Sequence, residues 1–92
     1  MTTGDELRNF KDKQGRITTW PSKPFKQIQV LKYLASQFVL GKRYSETEMN
    51  ELLNQHHTFA DPALLRRELI IKGLFERTAD GSQYWKKDNS QP

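Results

Sequence analysis

Between positions 24 and 40 the large apolar residues recur at three- and four-residue steps: Phe25, Ile28, Leu31, Leu34, Ala35 and Phe38. That spacing draws one apolar face along an α-helix. Pro24 suits a first helical turn, where a missing amide loses no acceptor, and Gly41 can adopt the left-handed backbone that ends helices. A first helix is predicted over about 24–39. Ser45-Glu46-Thr47-Glu48 has the form of a capping box: the Ser45 hydroxyl accepts from the Glu48 amide and the Glu48 carboxylate reaches back. Met49, Leu52 and Leu53 then form the stripe of a second helix, about 46–55. Asp61-Pro62 is an N-cap followed by proline at the first helical position. The third helix runs from there to Lys72 and stops at Gly73, with Leu65, Leu69 and Ile70 facing inward.

Two short runs follow, Leu74–Thr78 and Gln83–Lys86, joined by Ala79-Asp80-Gly81-Ser82. Asp-Gly between two such runs is a hairpin signal. Alternation in the second run puts Tyr84 and Trp85 on opposite faces, one in the core and the other partly exposed. Upstream, Gly15 to Trp20 reads as a short strand, since Ile17 and two threonines favour extended backbone and Pro21 ends it. The predicted fold is a small α+β, winged-helix-like domain: a short N-terminal strand, three helices and a C-terminal β-hairpin wing. Its core gathers Leu31, Phe38, Leu52, Leu53, Leu65, Leu69 and Leu74. The domain spans 15–87, with a flexible arm at 1–14 and a flexible tail at 88–92, both polar and without periodicity.

Composition narrows the class. The chain of 92 residues holds one modest core. No apolar run approaches the roughly 18 residues of a membrane span, and Met1 to Phe10, which includes Asp5 and Glu6, lacks the apolar stretch of a secretory signal. Without cysteine there is no disulfide scaffold and no thiolate, and a cytoplasmic location is expected. Net charge is +4, unevenly placed: residues 1–44 carry nine Lys/Arg against three acids, residues 45–92 six against eight. Such asymmetry marks either a surface for polyanions or a solvated face.

Four segments carry a family resemblance. Tyr44-Ser45-Glu46-Thr47-Glu48-Met49-Asn50, His57-Thr58-Phe59-Ala60-Asp61, Leu65-Arg66-Arg67-Glu68-Leu69 and Asp80-Gly81-Ser82-Gln83-Tyr84-Trp85 resemble a bacterial family of unknown function. Its members occur alone or as C-terminal partners of ArsR-type winged-helix transcriptional regulators. The likeness covers about Gly15 to Lys86, with Met49 where the family pattern has valine. It implies the fold and a transcriptional context and assigns no active residue.

The chemistry-bearing residues point away from catalysis. No nucleophile elbow or glycine-rich phosphate loop is present, and Glu46, Glu48 and Glu51 lie on a helix surface. An enzyme is not expected, nor a cofactor. His56-His57 with Asp61 falls short of the four ligands of a structural zinc site; the expectation is that Asp61 caps the third helix and one histidine packs in the turn. Arg66-Arg67 divides on the helical wheel. Arg66 falls between Leu69 and Ile70 and is expected to pair with Glu46 or Glu48, so Arg66→Ala should destabilise far more than Arg67→Ala; Arg67 faces outward.

Nucleic-acid contacts are therefore expected from Arg67 and Lys72 of the third helix, Arg77 and Lys86 of the wing, and Arg16, Lys23 and Lys26 nearer the N-terminus. Arginine suits phosphate and guanine on a recognition helix, and scattered basic residues suit backbone phosphates. The expected partner is duplex DNA or a winged-helix regulator's own DNA-binding domain. The alternative is a protein-interaction or ligand-sensing module that keeps the fold without DNA, for which outward Leu64 and Ile71 would form a small apolar patch.

Overall fold

The computed structural model describes residues 10–88. Their elements are α1 (Pro24–Ala35), α2 (Glu46–Asn54), α3 (Pro62–Ile71), β1 (Phe75–Arg77) and β2 (Tyr84–Lys86). The two strands pair antiparallel with Phe75 opposite Lys86 and Arg77 opposite Tyr84. Three helices and a C-terminal hairpin make a small α+β domain. Among the described residues no helix is long and apolar enough to cross a membrane.

The expected flexible arm falls mostly outside the described residues, but its last five, 10–14, are folded into a turn. Asp12 Oδ1 accepts from the amides of Gln14 and Arg16 at 3.0 and 2.8 Å, and its Oδ2 accepts from Arg16 Nε at 2.8 Å. Gly15 closes the turn at φ +81°, and the Tyr33 hydroxyl donates to its carbonyl at 2.6 Å. A Cβ at this glycine would meet that hydroxyl at 2.9 Å, so the position admits no side chain without displacing it. The extended run that follows is tied in by isolated bridges from Ile17 to Lys11 and His57 rather than by a continuous ladder. Of the expected tail, residues 89–92 lie outside the described residues.

α1 is shorter than its periodicity suggests. It ends at Ala35 instead of continuing to 39, because the Ser36 hydroxyl donates to the Tyr33 carbonyl at 2.5 Å and the next amides bond three residues back, Gln37 to Leu34 and Phe38 to Ala35. These tight turns keep Phe38 on the inner face without extending the helix. At the other end Phe25, 57% exposed, and Ile28 point to solvent. The buried stripe is Val30, Leu31, Leu34 and Ala35. α2 begins at the capping box expected at Ser45 and Glu48, with both of its hydrogen bonds formed. α3 starts at the Asp61 cap and Pro62, and Gly73 follows it at φ +79°.

The core joins Ile17, α1, α2, α3 and the hairpin. Five of the seven residues expected there, Leu31, Phe38, Leu53, Leu65 and Leu69, are buried; Leu52 and Leu74 pack against it half-buried. Phe38 sits edge-on to both Tyr44 and Phe75, ring centres 5.1 Å apart in each case. Tyr44 and Tyr84 exchange backbone hydrogen bonds at 2.8 and 2.7 Å. The α1–α2 connection thus lies beside β2 as a third, single-residue rung, and the hairpin is fastened to the helices on that edge.

Candidate functional site

On the α2 side of α3, polar groups are closed upon one another. His57 is 4% exposed. Its Nδ1 lies 2.6 Å from the Leu53 carbonyl and its Nε2 accepts from the Asp61 amide at 2.9 Å. Those partners fix the tautomer as Nδ1–H. Both ring nitrogens are engaged, so His57 holds the turn that sets α3 and has no lone pair to offer a metal. Asp61 Oδ1 accepts from the Leu64 amide at 3.1 Å as the expected N-cap. No group of three potential metal ligands gathers among the described residues.

Arg66 has the structural position the wheel indicates, with the expected Glu46 at ion-pair distance and Asn50 as an added hydrogen-bond partner. Its Nη1 donates to Asn50 Oδ1, while Glu46 Oε2 stands 4.0 Å from Nη2 and is itself largely exposed. The principal acceptor is a neutral amide on α2 rather than a glutamate. The capping box explains why Glu46 and not Glu48 is the carboxylate beside Arg66: Glu48 is committed to the Ser45 amide at 2.8 Å.

On the hairpin side the pattern is open. A cleft of ≈ 340 Å³ lies between α3 and the hairpin, lined by Arg66, Arg67, Ile70, Ile71, Arg77 and Tyr84. Three of these six carry guanidinium groups and none carries a carboxylate. Hairpin register explains the assembly. Residues directly opposite in an antiparallel pair share a face, so Arg77 stands on the same face as Tyr84, whose ring is buried against the core. Arg66 Cζ lies 5.9 Å from the centre of the Tyr84 ring. Arg77 Nη1 donates to the carbonyls of Thr78 and Ala79 at 3.1 and 3.3 Å, which holds its guanidinium on the turn.

Of the seven cations expected to meet nucleic acid, the fold therefore brings Arg67 and Arg77 to one cleft. The others are dispersed. Lys72 pairs with Glu68 at 3.3 Å. Arg16 is bound to Asp12. Lys86 reaches the Phe38 carbonyl at 3.4 Å, at the base of the hairpin. Lys23 caps α1 without a side-chain bond, and Lys26 stands 5.7 Å from the Phe10 ring centre and 5.6 Å from that of Phe25. Two features escape the sequence reading. Arg43 lies 4.2 Å over the Trp85 ring and donates to Gln83 Oε1 at 3.0 Å, which a loop arginine without periodicity does not announce. Arg66 also lines the cleft, a second consequence of the inward position read from the wheel.

Two carboxylates shape the loops. Asp80 is held down to about 2, first by the Thr78 hydroxyl at 2.7 Å and then by the Ser82 amide at 3.0 Å. Asp12 is lowered chiefly by the Arg16 amide. Burial depresses His56 by desolvating its charged form.

A family model described as "Uncharacterized protein conserved in bacteria (DUF2087)" matches residues 16–86. No curated protein matches the chain, and no solved structure does.

Proposed function

The chain belongs to this uncharacterized bacterial family, and on that premise we propose that it is a non-enzymatic, winged-helix-like domain of transcriptional regulation that binds duplex DNA through α3 and the hairpin. The observation that carries this reading is the cleft where Arg66, Arg67 and Arg77 converge without a lining acid. Arg67 is exposed on the outer face of α3 and Arg77 stands at the hairpin tip. A helix laid in a groove and a hairpin laid along the flanking backbone would meet phosphates at these two points. The flanking basic residues add long-range attraction, although Lys72 and Arg16 each have an acidic neighbour that competes with phosphate. Its location would be the cytoplasm.

Binding on this account is electrostatic and modest. About four phosphate contacts give a log–log salt slope of roughly −4. Fluorescence anisotropy with random duplex DNA over a range of salt checks it. Affinity that falls steeply with salt supports the reading; no measurable binding at low salt removes it.

A second reading has its own observation. Ile71 is 61% exposed on the rim of the same cleft, and Leu64 is half-buried two turns earlier on α3. An apolar strip of that kind suits the DNA-binding domain of a regulator or another protein. A complex insensitive to salt, formed with such a domain, favours it over DNA.

A further inference from the structure

Tyr84 is 5% exposed, and its hydroxyl makes no hydrogen bond within the described residues. Buried tyrosine hydroxyls normally find a partner. Gln29 Oε1 is the single fully buried side-chain polar atom among the described residues that lacks one, so the Tyr84 hydroxyl is not sealed in the core. It opens where Tyr84 lines the cleft with Arg66, Arg67 and Arg77. The loop glycine Gly81 locates it further: a Cβ built there would lie 3.7 Å from the Tyr84 hydroxyl and 3.6 Å from Arg77 Nη1. Phenol and guanidinium thus approach the same point at the hairpin tip.

Arg77 is prepared for a ligand. With Nη1 engaged by the Thr78 and Ala79 carbonyls, its Nε and Nη2 hydrogens remain as one planar fork of fixed orientation. Arg67 contributes a second guanidinium from α3. Arg66 contributes field more than donors, because its Nη1 serves Asn50. Donors therefore arrive from three elements, α3, β1 and β2. A planar carboxylate is satisfied by one fork, whereas a tetrahedral oxyanion accepts from several directions at once. The cleft volume, ≈ 340 Å³, sits at the small end of ligand sites, about 300–1,000 Å³.

We infer that this cleft seats a single phosphate group, held by the guanidinium groups of Arg67 and Arg77 and by the Tyr84 hydroxyl. The inference deepens the DNA reading and rests on it only for the source of the phosphate, since a duplex backbone and free phosphate present the same oxyanion chemistry.

Tyr84→Phe is the discriminating variant. It keeps the core ring and deletes a hydroxyl that makes no hydrogen bond among the described residues, so the thermal melt should not move. Inorganic phosphate and a short random duplex are titrated separately into wild-type and variant protein, following the arginine Nε–Hε signals by NMR, with chloride matched for ionic strength. Saturable phosphate-induced shifts at Arg67 and Arg77, weakened about tenfold by Tyr84→Phe, are expected, because a hydrogen bond to a charged group is lost. The duplex should produce the same shifts and lose affinity in the same variant. Phosphate effects no larger than those of chloride, or equal affinities in the two proteins, overturn the phosphate seat. If the duplex binds both proteins equally with steep salt dependence, the seat fails and DNA binding stands. If phosphate saturates the cleft while no duplex binds, the seat stands and DNA binding fails.

Discussion

The two sides of α3 solve opposite problems. Toward α2, the groups that could do chemistry are satisfied within the protein: both His57 nitrogens, the Asp61 cap, the Ser45–Glu48 box and the Arg66–Asn50 contact. Toward the hairpin, Arg67, the outer fork of Arg77 and the Tyr84 hydroxyl face a cleft without a lining acid. Of the adjacent arginines, Arg66 is tied to α2 at Asn50 while also lining the cleft, and Arg67 belongs to the open side alone. Residue type alone therefore says little about role; the partners that the fold supplies decide it. A closed polar network fixes geometry and contributes stability, whereas open donors contribute little stability and are available to a ligand.

The largest effect should come from breaking the closed side. His57→Ala removes both ring contacts, leaves the Asp61 amide and Leu53 carbonyl unpaired and opens a cavity. A loss of about 3 kcal/mol or more is expected, read as a fall in Tm of more than about 10 °C. Arg66→Ala should follow at about 2 kcal/mol, less than a fully buried ion pair because its principal partner is neutral. Arg67→Ala should stay within about 0.5 kcal/mol in the same chemical-denaturation series. Equal effects from the two arginines would erase the contrast between the sides.

The open side should respond in binding rather than in stability. Arg67→Ala is expected to reduce the salt slope for duplex DNA by about 1, whereas Lys72→Ala, already beside Glu68, should change it less. Smallest are the effects of acid. Asp80 is depressed from 3.8 to about 2, so the turn's carboxylate contribution is complete above 3.8 and is lost as pH falls through about 2. Its carboxyl carbon signal should titrate near 2, and Thr78→Val should bring the midpoint back toward 3.8. His56 is depressed from 6.5 by burial, so the unfolded chain takes its proton first; stability should be level above 6.5 and decline below it.

Local rules made much of this legible in the sequence. The capping box and Asp61-Pro62 signal helix starts through atoms three residues apart, and α2 and α3 begin where those residues require. Asp80-Gly81 likewise places the hairpin turn. Periodicity alone carried α1 too far, since Phe38 continues the apolar pattern while Ser36 diverts the backbone. It also runs the apolar face of α1 through Phe25 and Ile28, which are exposed because no element among the described residues covers them. No local pattern marks Ile17 and Tyr44, both buried, as core, because their places depend on bridges to His57 and Tyr84 far along the chain. The cleft was out of reach for the same reason. Arg67 and Arg77 appear in the sequence as separate charges, and only the hairpin's register and its packing on α3 bring them to one opening with Tyr84.

The most direct test of the central claim is an amide NMR titration of the whole chain with random duplex DNA at low and moderate salt. The account predicts shifts concentrated at Arg67, Ile71, Arg77 and Tyr84, shrinking as salt rises, with the His57–Asp61 turn undisturbed. Shifts absent from both α3 and the hairpin at low salt would contradict it.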